Sequence, residues 1–129
     1  MNDLRHVPAP PGVAPGNGYS HVVSGRGRLV AVAGQVALDE HGAVVGVGDP
    51  DAQARQVFEN LRGVLQAAGG DMQSLMKITT YITRIEHFPA VAEARSAVFQ
   101  GELPASTLIV VKSLFHPDFL IEVEGVAAV

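Results

Sequence analysis

Two prolines, Pro50 and Pro89, decide most of what this chain can become. Each opens a stretch of helical spacing, and each stretch lies between runs rich in β-branched and apolar residues. Asp49 is a good N-cap, and Pro50 fits the first helical position, where a missing N–H does no harm. Val57, Leu61, Val64, Leu65 and Ala68 then recur on one stripe until Gly69-Gly70 ends the helix. The second helix starts at Pro89, with Phe88, Val91, the stem of Arg95 and Val98 or Phe99 turned inward. Leu29 to Leu38, Leu75 to Thr83, Thr107 to Leu114 and Leu120 to Ala128 read as strands. Strands separated by helices need crossover connections and a partly parallel sheet.

A shorter strand, His21 to Ser24, precedes the first of these. The turn Gly25-Arg26-Gly27 between them is a hairpin signal. Ala43 to Val45 is a weaker extended piece, and Phe115 to Phe119 is a loop around Pro117. The predicted order is ββαβαββ, an α/β (α+β) chain with two helices on one sheet face. Residues 7–18 are rich in proline and read as an arm without regular structure. The expectation is one domain over residues 1–129, with residues 1–18 as the arm.

Composition removes several functions. Hydrophobic residues make up 47% and charged residues 17%, the reverse of a disordered chain. The absence of cysteine excludes disulfides, thiolate catalysis and Cys-based zinc sites. No apolar run is long enough to cross a bilayer or to act as an N-terminal signal, so a cytoplasmic protein without membrane contact is expected. The 9 basic residues form no cluster and the net charge is −4, which argues against a nucleic-acid partner. The five histidines show no metal-binding spacing, so no metal is expected.

Two helices cover only one face of a sheet. The strand 29–38 is apolar on both faces and is expected to be central and covered on both sides. The strand 107–114 carries Leu108, Val110 and Leu114 on one side, Ile109 and Val111 on the other. An open apolar face of that size predicts a homo-oligomer.

In the last strand, Ile121, Val123 and Gly125 point one way, and Glu122 and Glu124 the other, roughly 7 Å apart. Partial burial of such a pair raises at least one pKa by desolvation and mutual repulsion. That suits a general acid/base near neutral pH. Exposure to solvent, or pairing with Lys or Arg across a subunit contact, is the other reading of the same spacing.

Gly18-Tyr19-Ser20-His21, Ala33-Gly34-Gln35-Val36, Gln53 to Leu61 (QARQVFENL), Ala67-Ala68-Gly69, Pro104-Ala105-Ser106-Thr107 and Ile121-Glu122-Val123-Glu124 occur in this order. Together they resemble the Rid family (RidA/YjgF, reactive-intermediate deaminases) from about Tyr19 to Val126. The resemblance implies a chorismate-mutase-like fold and a homotrimer with small-molecule clefts between subunits. It implies cofactor-free hydrolysis of enamines or imines such as 2-aminoacrylate to a keto acid and ammonia. By the same resemblance Glu122 handles the attacking water, and Tyr19, Gly34, Ser106 and Thr107 line the cleft.

The chain departs from that family in three places. Ser106 stands where the deaminases carry an arginine that forks onto the substrate carboxylate. Ala33 replaces a serine, and Ala92 an asparagine. Losing the bidentate contact alone removes about 2–3 kcal/mol of binding, or about two decades of affinity. A substrate other than 2-aminoacrylate is therefore expected, in a roomier and less basic cleft. His116, Lys112 and Arg28 are the candidate replacement anchors, and His21 beside Tyr19 is a further candidate for the lining. Two readings stay open: a hydrolase with Glu122 as its acid/base, or a non-catalytic trimer that binds a metabolite or a partner protein.

Overall fold

A computed structural model describes residues 3–129 of the chain, so the first two residues of the predicted arm lie outside the described residues. The elements are β1 (Asp3–Val7), β2 (Val22–Arg26), β3 (Leu29–Gln35), α1 (Pro50–Ala67), β4 (Leu75–Ile82), α2 (Phe88–Val98), β5 (Ala105–Val110) and β6 (Ile121–Ala128). Four strands form a mixed sheet in the order β3-β6-β4-β5. The α2 crossover makes β4 and β5 parallel, and β6 runs antiparallel to both its neighbours. The architecture is α+β, and the predicted order holds from β2 onward.

Local signals formed as their chemistry dictates. Asp49 Oδ1 accepts the Ala52 N–H at 3.1 Å to cap α1. Gly69, at φ +86, turns the chain away after it. The stripe of α1 buries Gln53, Ala54, Val57, Phe58, Leu61 and Leu65. These meet Ile78, Ile82, Ile121, Val123 and Val91 in one core, closed by the Phe58 and Phe99 rings, edge to face at 6.3 Å. Two predicted inward residues fall off their stripes, since Val64 and Phe88 are exposed.

Pairing between distant segments overturns two expectations. Leu29–Gln35 is an edge strand, not a central one, because β6 returns from the C-terminus and takes the place between β3 and β4. Arg28 and Val129 exchange both backbone hydrogen bonds at 2.7 and 2.9 Å. The outer face of β3 is uncovered in the single chain, with Leu29 74% exposed. No hairpin joins β2 to β3: β2 pairs antiparallel with β1, from Asp3↔Arg26 to Val7↔Val22. Asp3–Val7, ahead of the prolines, is thus a strand, while residues 8–18 hold no helix or strand.

Strand ends also moved inward. A register shift between Val32 and Gln35 breaks β3, and Leu38 instead bridges Val44 across a tight turn. The turn is held by Asp39 Oδ1, which accepts the N–H groups of His41 and Ala43 at 2.9 Å. At the other edge, β5 ends at Val110, and the Val111 N–H makes one last bond to Ile82 O at 2.8 Å.

Candidate functional site

The alternation of β6 sends Ile121 and Val123 into the core and Glu122 and Glu124 to the outer face. The sheet register puts Glu122 opposite Tyr81 and Glu124 opposite Thr79. The Tyr81 hydroxyl reaches diagonally and donates to Glu124 Oε1 at 2.7 Å. Glu124 is thus engaged. Glu122 has no hydrogen-bond partner among the described residues. Partial burial pushes its carboxyl above the usual carboxylate range, and the neighbouring charge of Glu124 adds to the rise.

Gly34 lies against this carboxyl. A Cβ at position 34 would sit 2.7 Å from Glu122 Cδ. Gly34 is not among the glycines at positive φ, so it serves here by leaving space, not by bending the chain. It also lines an open groove of about 450 Å³ with Gln35, Val36, Asn60, Gly63 and Val64. The Asn60 amide fixes one wall by donating to Val36 O and Leu38 O at 3.0 and 2.9 Å.

The other predicted residues sit elsewhere. Thr107 is on the outer face, opposite Thr79, and its Oγ1 accepts from Lys77 Nζ at 3.1 Å. Ser106 pairs with buried Ile78 and so faces the helix side, opposite to Glu122. Tyr19 is half-buried with its ring folded over Gly16, edge-on to His21 at 5.3 Å. The His21 ring is held by Ala14 O at 2.7 Å. Ser20 ties this segment to β5, donating to Pro104 O at 3.1 Å and bridging Ala105. Ala105 aligns with Lys77 and Val126, two strands and four residues from Glu122. That separation is roughly 16 Å.

His116 belongs to its own loop. Its Nδ1 accepts the Asp118 N–H at 3.1 Å, and its ring rests on Phe119. Arg28 is used as a helix cap, donating to Ala68 O at 2.8 Å. Lys112 is exposed.

Two features escaped the sequence reading. Tyr81 was one residue of a β-branched run, and only the β4–β6 register brings it to the acidic pair. The Arg95 guanidinium packs against Gly18, with Cζ 2.9 Å from a Cβ built there. Among the described residues no group of three or more His, Asp or Glu is placed to hold a metal ion, and no helix is long and apolar enough to cross a membrane.

Comparison with known proteins agrees with the fold. The family described as Endoribonuclease L-PSP matches residues 11–129. A RutC family protein of Pyrococcus horikoshii is 32% identical over 109 residues, covering 84% of this chain and 85% of that one. The structure of YyfB, a Rid family protein of unknown function from Yersinia pestis, superposes with a TM-score of 0.90 at 34% identity, over 98% of this chain and 99% of that one. RidA from an Antarctic Psychrobacter species superposes at 0.74 with 27% identity over 100% of both chains. With its mixed sheet, its two helices and this match over nearly all of its length, the chain belongs to the Rid (YjgF/RidA) family.

Proposed function

We propose that this protein assembles as a homotrimer and hydrolyses a small imine or enamine other than 2-aminoacrylate in clefts between its copies. The observation that carries this reading is Glu122: partly desolvated, raised in pKa, unpaired among the described residues and facing Gly34. A carboxylate in that condition takes a proton from water as it adds to a C=N carbon. It returns that proton to nitrogen, giving a carbinolamine, and then passes the hydroxyl proton to nitrogen as the C–N bond breaks, leaving a carbonyl and ammonia. No cofactor is needed for these steps. Tyr19 and Ser106 lie far from Glu122 within one chain, which favours a cleft completed by a second copy. The exposed outer face, with Leu29, Val126 and Ile109, supports assembly as well. Light scattering is expected to give three times the 13.5 kDa chain mass. A monodisperse monomer at micromolar concentration would refute the assembly. A cytoplasmic setting fits the absence of cysteine.

Ser106 favours a second reading, a trimer that binds a metabolite or partner protein without turnover. Glu122→Gln separates the two. Loss of keto-acid and ammonia release from an imine panel, with ligand binding kept, supports hydrolysis. No turnover of any imine by the unaltered protein supports the binder. Ribonuclease activity is not proposed, since the chain carries a net charge of −4 and no basic cluster.

A further inference from the structure

Arg95 stands apart from the other cations of the chain. Arg62 and Arg84 pair with Glu59 and Glu86, Arg28 caps α1, and Lys77 Nζ has three oxygen partners. Arg5, Arg26, Arg55 and Lys112 are exposed. Arg95 is half-buried, and its guanidinium makes no ion pair or hydrogen bond among the described residues. Desolvation lowers its pKa, with no nearby carboxylate to offset the effect. A desolvated cation without a counter-charge is costly to hold and is a ready seat for an anion.

Its place matters as much as its charge. The guanidinium lies against Gly18, at φ +83, the residue before Tyr19. Two residues on, Ser20 is bonded to Pro104 O and bridges Ala105, the neighbour of Ser106. Consecutive Cα atoms are about 3.8 Å apart, so Gly18 is at most about 7.6 Å from Ser20. Arg95 also shares a helix face with Ala92, three residues earlier. Ala92 and Ser106 are both small residues.

We propose that Arg95 is the anion anchor of the Tyr19 side of the cleft, supplying from α2 the fork that Ser106 no longer supplies from β5, so that the ligand carries a carboxylate. The space at Ala92 and Ser106 then admits a 2-oxo or 2-imino acid bulkier than 2-aminoacrylate. This inference rests on the cleft reading above, but its test measures binding, not turnover.

Phenylpyruvate and its neutral amide are titrated calorimetrically into the trimeric protein and its Arg95→Met, Arg95→Lys and Arg95→Met/Ser106→Arg variants. The unaltered protein is expected to prefer the acid by about 10-fold or more. Arg95→Met is expected to lose about 10- to 100-fold in acid affinity and nothing for the amide. Arg95→Lys falls between, because an ammonium keeps the charge without the fork. The double variant is expected to regain acid binding. Equal affinity for acid and amide, no saturable acid binding, or unchanged acid affinity in Arg95→Met would overturn the proposal. Circular dichroism checks folding; if Arg95→Met does not fold, an acid affinity of Arg95→Lys within about two-fold of the unaltered protein overturns it instead. Failure of Glu122→Gln to alter turnover would count against hydrolysis and leave this result standing.

Discussion

Gly34 and Glu122 are in contact across β3 and β6: a Cβ on Gly34 would lie 2.7 Å from Glu122 Cδ. Because Gly34 is not held at positive φ, alanine is tolerated by the backbone there and must instead push the carboxyl aside. Gly34→Ala is expected to melt within a few degrees of the unaltered protein while turnover falls. A displacement of about 1 Å at a catalytic group costs about 100-fold. Unchanged turnover with a shifted carboxyl in the crystal would remove Glu122 from the chemistry.

The raised Glu122 pKa gives a signed pH dependence. The folded chain holds this proton more tightly than the unfolded one, so ionisation of Glu122 costs stability. That cost is absent at pH below the ordinary value of about 4.3 and sets in as pH rises through the folded pKa. Glu122→Gln is therefore expected to melt higher than the unaltered protein at pH 7, with the gap closing toward pH 4. The rising limb of turnover should sit above the ordinary glutamate range. A gap that widened toward acid would contradict the sign.

The Tyr81–Glu124 hydrogen bond of 2.7 Å holds the Tyr81 phenol above its usual range, chiefly because the phenolic proton is bound to a carboxylate. Ultraviolet titration is expected to show this phenol ionising at lower pH in Glu124→Gln. Tyr81→Phe is expected to leave turnover nearly unchanged. A large loss of turnover would mean that Glu124, not Glu122, is the working member of the pair.

Gln53 is fully buried and ties three segments together. It donates to Gly46 O at 3.0 Å and Asp118 O at 2.8 Å, and accepts from the Leu120 N–H at 3.0 Å. Leu120 leads directly into Ile121 and Glu122. Gln53→Ala removes these partners and is expected to cost about 3 kcal/mol. Urea denaturation should show a lower midpoint with an unchanged slope. A loss below about 1 kcal/mol would mean that water replaces the amide.

The amino-acid sequence by itself determined whatever depends on neighbours along the chain. The Asp49 cap, the ends of α1, the existence of β4 and β6, and the shared face of Glu122 and Glu124 all follow from dihedral preference and from periods of 3.6 and 2. Only the tertiary structure decided which strands meet. The edge position of Leu29–Gln35, the β1–β2 pairing, the Gly34–Glu122 contact and the bond from Tyr81 to Glu124 rest on register between segments tens of residues apart. Ser106 was recognised as a substitution from its motif, but its turn toward the helix side came from pairing with Ile78. Arg95 was visible only as an inward stem. That its charge lies unpaired beside Gly18 depends on how the arm folds back onto α2, and no local periodicity encodes that return.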